Sequence, residues 1–177
     1  MVRCFVGIFL PDSLKSKVLE LQYFLKSLDI DCKLVEPENL HITLSFLGEL
    51  DTAGIETTKQ NLDEICSNFR EFTISISGIK FIPNKNYVRV IALDITDASE
   101  MFPRILNELK QNISGDAKPP HLTLCRVRKM GKKDALSKLQ NVDSYCGEFR
   151  VSSIQLIESQ LGGSGPAYSV LHESKFL

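Results

Sequence analysis

The sequence predicts an α+β fold with largely antiparallel sheets. Three observations carry that prediction. Strand-type runs and helices of 3.6-residue periodicity succeed one another along the whole chain. Neighbouring strand runs are joined by short polar turns of the kind that close hairpins. No stretch is low in complexity or long enough to separate independent units, so residues 1–177 are read as a single domain.

The first run, "RCFVGIFL" (3–10), is apolar and β-rich, a buried strand. "PDSLKSKVLELQYFLKSL" places Leu14, Val18, Leu21, Leu25 and Leu28 at helical spacing, with Asp12 or Ser13 as the N-cap. "CKLV" is a short strand, broken by "EPEN", and "LHITLSFLG" alternates until Gly48. A second helix from Asp51 to Phe69 lines up Ile55, Leu62, Ile65, Cys66 and Phe69. "FTISISGIKFI" and "YVRVIALDI" are strands around the hairpin turn "PNKN". A third helix runs from about Ser99 to Ile113, with Pro103 in its first turn, where a missing N–H costs little. After the loop "SGDAKPP" come the strand "HLTLCRV", the short helix "KKDALSKLQ", one long strand "GEFRVSSIQLIESQL", a turn "GGSGP" and a last strand "AYSVLHESKFL".

Composition narrows the function. Hydrophobic residues are 43% and charged residues 24%, ordinary for a soluble globular chain. The net charge of −1 implies no broad basic face, which argues against wrapping a long nucleic acid. The N-terminal apolar run lacks a cleavage site, so no signal peptide and no membrane span are expected. Cys4, Cys32, Cys66, Cys125 and Cys146 are odd in number, scattered and without a C-x-x-C, which points to reduced thiols in a cytoplasm and to no zinc site.

Chemistry enters with a repeated tetrapeptide. His41-Ile42-Thr43-Leu44 reappears as His121-Leu122-Thr123-Leu124, and the chain holds only three histidines. On a strand, His and Thr of each copy share one face while Ile or Leu anchors the other. A given His followed by apolar-Thr-Leu occurs on the order of once in a thousand from average usage. Two strands side by side would offer two imidazoles and two hydroxyls. That set suits hydrolysis of a phosphodiester, which needs a base on the water and an acid on the leaving oxygen. Imidazole serves both roles near neutral pH, the threonines can hold the non-bridging oxygens, and no metal or cofactor is required. The plain alternative is a decayed duplication whose repeat is structural; such a repeat would more readily keep its apolar positions than its polar ones.

These residues carry a resemblance. With "RCFVGIFLP", "EPENLHITLSFLGE", "KPPHLTLCRV" and "GPAYSVLHESKFL", the chain resembles the 2H phosphoesterase superfamily along nearly its full length. Within it, the chain is similar to the RNA 2′,3′-cyclic phosphodiesterases, also called 2′-5′ RNA ligases. Leu34 stands where an aromatic is common, a departure that touches no catalytic position. The resemblance implies a bilobal α+β fold: two interleaved, pseudo-symmetric lobes, each with an antiparallel sheet and outer helices, and a cleft between them. It implies opening of a terminal 2′,3′-cyclic phosphate to a 2′-phosphate, with His41 as proton donor, His121 as proton acceptor, Thr43 and Thr123 on the phosphate oxygens, and Arg126 against the developing charge. Joining of RNA ends through a 2′-5′ bond is also implied. The expected partners are RNA 3′ ends bearing the cyclic phosphate, tRNA fragments included, and the expected state is a monomer. A binding module that keeps the cleft without catalysis, or the same chemistry on a small cyclic nucleotide, are the alternatives.

Arg126 is five positions past His121, so a regular strand sends it to the opposite face; either a bulge near Cys125 intervenes or the side chain curls round the strand end. Cys125 falls on the catalytic face in the regular pattern. Phe9, Phe46 and Tyr168 are candidates for stacking on the terminal base, with core packing as the plainer reading. Arg128, Lys129, Lys132 and Lys133 form a basic cluster, a solvated face or a landing place for RNA phosphates. His172 has no Thr partner and is read as structural.

Overall fold

The computed structural model describes residues 1–131, 134–162 and 165–177. The first half runs β1 (Val2–Phe9), α1 (Asp12–Ser27), β2 (Asp31–Leu34), a 3₁₀ turn (Pro37–Asn39), β3 (His41–Leu50), α2 (Thr52–Cys66) and β4 (Phe72–Asn84). The second runs β5 (Tyr87–Thr96), α3 (Met101–Asn112), β6 (Asp116–Ala117), β7 (His121–Lys129), α4 (Ala135–Asn141), β8 (Gly147–Val151), β9 (Ser153–Leu161) and β10 (Pro166–Lys175). All registered pairings are antiparallel.

The strands form one sheet in the order β10-β9-β1-β3-β7-β5-β4-β8, with β2 added to β7 and β6 added to β3. Its two halves meet where β3 crosses β7 at a single registered pair, Ile42↔Leu122. Beyond that point the strands diverge, and β6 and β2 take over the edges they leave. The halves exchange helices. α1 leaves β1 and packs against β7, while α3 leaves β5 and packs against β3 and β6. The segment β1-α1-β2-β3 and the segment β5-α3-β6-β7 are thereby related by a pseudo-twofold through the Ile42/Leu122 contact. The core lies between sheet and helices. Ile42, Leu44, Leu122 and Leu124 are wholly buried in it, beside Leu25, Leu62, Ile105 and Leu109 from the helices. The apolar residues of both tetrapeptides therefore anchor their strands as the alternation requires, which leaves the opposite sheet face free.

Three expectations are corrected. The run expected as one long strand over 147–161 breaks at Ser152. β8 ends the sheet beside β4, whereas β9 lies between β10 and β1 near the opposite end. One residue connects them, so the sheet has to curl until its ends approach. The N-cap of α1 is Pro11, without a side-chain cap, and not Asp12 or Ser13. Proline's fixed φ lets the chain enter the helix directly, and Asp12 is left to pair with Lys15 at 2.7 Å. α3 starts two residues later than Ser99, because Asp97 caps it from outside by accepting from Phe102 N at 2.7 Å. His172 is structural, as expected: its Nε2 lies 2.8 Å from Asp63 Oδ1, which also accepts from Ser174 Oγ at 2.7 Å, tying β10 to α2.

Candidate active site

The Ile42↔Leu122 pair fixes what stands around it. In an antiparallel register centred there, His41 lies across from Thr123 and Thr43 across from His121. All four occupy the face away from the core. The two histidines take one diagonal of the square and the two threonines the other.

Each ring is oriented the same way. His41 Nδ1 lies 2.6 Å from Asn39 O, and His121 Nδ1 lies 3.0 Å from Pro119 O, in both cases the carbonyl two residues back. A carbonyl only accepts, so Nδ1 carries the proton and Nε2 of each ring is left for the cleft. The 3₁₀ turn supplies the Asn39 carbonyl that His41 meets and is itself tethered, since Asn39 Nδ2 donates to Pro166 O at 2.9 Å.

Arg126 is brought to this face by a bulge. β5 pairs Ala92 with Thr123 and Ile91 with Cys125, so Leu124 is the extra residue. Leu124 and Cys125 are consecutively buried, and the alternation resumes with Arg126 exposed on the face of Thr123. Of the two routes open from the sequence, the bulge is the one taken. It also removes Cys125 from the face of His121 and Thr123, which corrects the regular-strand expectation: the thiol is wholly buried, and burial, reinforced by neighbouring Cys32, drives its pKa strongly upward. β3 repeats the device. Gly7 pairs with Thr43 and Val6 with Ser45, so Leu44 is the extra residue and Phe46, at 44% exposure, returns to the cleft. Phe46 and Arg126 are thus pseudo-twofold counterparts, each five residues past its histidine.

The two halves of the cleft share motifs and differ in surroundings. Around His41 the lining is aromatic. Ring centroids of Phe5, Tyr168 and Phe9 lie 4.9, 5.0 and 6.2 Å from the imidazole, and Phe5 meets Phe46 at 6.5 Å. Phe5, only 4% exposed, was not among the residues expected from sequence. Its neighbour Gly7 leaves the approach open: a Cβ there would come within 2.8 Å of Ile42 O and 3.2 Å of the Phe5 ring. Around His121 the lining is small and charged. Asp94 pairs across from His121 and Ala92 across from Thr123, and Asp94 bonds Lys80 at 2.8 Å. Arg128 is exposed and 3.8 Å from Asp31. Lys132 and Lys133 lie outside the described residues.

The electrostatics follow the lining. Burial among the aromatic rings lowers the pKa of His41; the Asn39 carbonyl works against this, and the charges of His121 and Arg126 add to it. Burial raises the Tyr168 hydroxyl, partly offset by Arg126. Among the described residues, Arg126 and the hydroxyls of Thr43 and Thr123 make no ion pair or hydrogen bond to a protein side chain, and no cluster of His, Cys, Asp and Glu suited to a metal ion occurs.

Comparisons with known proteins place the chain among phosphoesterases. The family model described as LigT like Phosphoesterase matches residues 8–92. A Methanothermobacter thermautotrophicus protein named RNA 2′,3′-cyclic phosphodiesterase is 32% identical, over 95% of this chain and 95% of its own length. A Methanocaldococcus jannaschii protein of the same name is 35% identical, over 97% and 99%. Among solved structures, a Thermus thermophilus protein superposes with a TM-score of 0.84 at 23% identity, covering 98% of this chain and 97% of that one. E. coli LigT complexed with 3′-AMP does so with a TM-score of 0.77 at 18% identity, covering 99% and 97%. These last two likenesses bear on the fold.

Proposed function

This chain belongs to the LigT-like phosphoesterase family, and from that premise we propose that it hydrolyses RNA-terminal 2′,3′-cyclic phosphate to a 2′-phosphomonoester by acid–base catalysis with two histidines. The observation that supports the reading is the crossing of β3 and β7 at Ile42↔Leu122, beside which each histidine is held through Nδ1 by the carbonyl two residues back. Relatives named RNA 2′,3′-cyclic phosphodiesterase support the substrate class.

In the reaction, a water oxygen attacks phosphorus and its proton passes to Nε2 of His121. The P–O3′ bond breaks, and protonated Nε2 of His41 gives its proton to O3′. The 2′-phosphate and a 3′-hydroxyl remain, and solvent resets both rings. Thr43, Thr123 and Arg126 hold the non-bridging oxygens as charge builds on them. With a 5′-hydroxyl in place of water, the same step forms a 2′-5′ bond. The aromatic half of the cleft, with Phe46, Tyr168 and Phe9, receives the terminal nucleotide; Arg126 meets the reacting phosphate, and Arg128 the phosphates further along a longer RNA.

Product analysis tests the reading. An oligonucleotide with a 2′,3′-cyclic end, incubated in excess EDTA, should yield a 2′-phosphate and no 3′-phosphate. Binding without conversion would leave a non-catalytic end-binding module, and conversion of a mononucleotide alone would leave a small-nucleotide enzyme.

The pH dependence has a definite sign. Proton donation needs His41 charged, yet burial lowers its pKa in the free protein. The alkaline limb of kcat/KM, which reports free enzyme, therefore lies below the ordinary histidine range. An anionic phosphate bound against the ring favours the imidazolium. The alkaline limb of kcat should then lie at higher pH than that of kcat/KM. Coincident limbs, or the reverse order, would count against His41 as the donor.

A further inference from the structure

A glutamine stands in the apolar stripe of α1. Val18, Leu21 and Leu25 are buried there, and Gln22 beside them is 3% exposed. Its amide nitrogen donates to two backbone carbonyls, Val35 O at 2.8 Å and Leu124 O at 2.9 Å. Leu124 is the bulge residue of β7. Its carbonyl also accepts from Val35 N at 3.0 Å, so two donors close on one bulge carbonyl and pin the end of β2 to it.

The pseudo-twofold supplies an internal comparison. At the β3 bulge, Leu44 O accepts from Lys118 N at 3.0 Å, the counterpart of Val35 N. Among the described residues no side chain adds a second donor there. The residue returned to the cleft by that bulge is Phe46, whose ring can stack despite a small displacement. The residue returned by the β7 bulge is Arg126, whose planar fork has to meet phosphate oxygens at hydrogen-bond distance. The additional donor is found on the side where placement is critical. A β7 strand that lost this bulge would keep the regular alternation and send Arg126 to the opposite face.

We infer that Gln22 is a positioning residue for Arg126: from the helix side of the sheet it holds the β7 bulge in the register that delivers the guanidinium to the reacting phosphate. The inference rests on the reading of the cleft as a phosphoryl site. Gln22 itself lies behind the sheet and touches no substrate.

The test is a double-mutant cycle with Arg126→Ala. Gln22→Leu and Gln22→Met remove both donated hydrogen bonds and keep most of the bulk. Each is measured for hydrolysis of a 2′,3′-cyclic mononucleotide and for affinity toward inorganic phosphate by calorimetry. Misplacement of one catalytic contact by a remote change costs up to about 10²-fold, so a loss of about 10–100-fold in kcat is expected with Arg126 present. With Arg126→Ala already in place the same substitutions should cost less than about threefold, because coupled positions do not add. Phosphate affinity should show the same non-additivity. Equal losses in both backgrounds, or normal turnover in a folded Gln22 variant, would overturn the inference. So would failure of both variants to fold, since Gln22 would then serve the core alone. If the wild type leaves the cyclic substrate intact while phosphate affinity across the cycle is non-additive, the proposed reaction is lost and the role of Gln22 is kept.

Discussion

Replacing either histidine by alanine is expected to lower kcat on a 2′,3′-cyclic substrate by about 10²–10⁴-fold, the usual worth of one general acid or base, while the protein stays folded. The folded state survives because neither ring belongs to the core. Both lie on the cleft face, while Ile42 and Leu122, wholly buried, anchor their strands from the other side. His41→Ala removes ring contacts with Phe5, Phe9 and Tyr168, so a modest loss of stability accompanies it; His121→Ala should be closer to neutral. The two variants should also lose opposite limbs of the pH–rate profile. His41→Ala abolishes the alkaline limb, as the donor is gone, and His121→Ala abolishes the acid limb, as no neutral base is left to be protonated. Thermal melts checked against steady-state rates across pH 5 to 8 decide the matter. Near-normal turnover in either folded variant removes that histidine from the mechanism, and exchange of the limbs would mean that donor and acceptor are the other way round.

Arg126→Ala should cost on the order of 10²–10³ in kcat, the typical effect of deleting one transition-state donor, and Arg126→Lys should recover part of it, because an ammonium supplies charge without the fork. The loss should be equal for a cyclic mononucleotide and a long RNA. The reason is geometric: the Leu124 bulge puts Arg126 on the face of His121 and Thr123, near enough for its charge to add to the lowering of the His41 pKa. A guanidinium so placed is expected to serve the reacting group. Arg128, two residues further along and 3.8 Å from Asp31, is the contrasting position, and Arg128→Ala should leave the mononucleotide rate within about twofold, as expected for an exposed ion pair of little energetic weight. If Arg126→Ala turned over the mononucleotide normally and failed only on long RNA, the arginine would belong to the RNA track.

Much of the fold was legible because its signals are local. Val18, Leu21 and Leu25 form a stripe whatever surrounds them, and the hairpin turn before Tyr87 is closed by its own Asn84 side chain, which accepts from the amides of Asn86 and Tyr87. Both tetrapeptides alternate as a strand must, so the side-by-side display of His and Thr followed from period two alone. The small β6 strand in "SGDAKPP" was not legible, since its two residues pair only because β3 diverges from β7 and leaves an edge. Gln22 did leave a trace: a polar residue inside a helical apolar stripe is a request for a partner. The sequence could not say that the partners are carbonyls of residues 35 and 124.

By itself the sequence determined the chemistry on offer, two imidazoles and two hydroxyls on anchored strands, because side-chain direction along a strand is set by covalent geometry. Tertiary structure decided which residues share the cleft with them. A bulge is a mismatch between two strands and exists only once both are paired. It therefore took β5 against β7 to turn Arg126 toward the candidate phosphate site and Cys125 into the core, and β1 against β3 to turn Phe46 outward. The break at Ser152 belongs to the same class: each side of it reads as strand, and only the curl of the whole sheet sends the chain from one end to the other. The unlike settings of the two histidines are tertiary as well. The pKa of His41 is lowered because β10 and β1 bring aromatic rings around it, whereas β5 brings Ala92 and Asp94 to the neighbourhood of His121. Desolvation depends on every atom that excludes water, and those atoms come from parts of the chain that a local pattern cannot bring together.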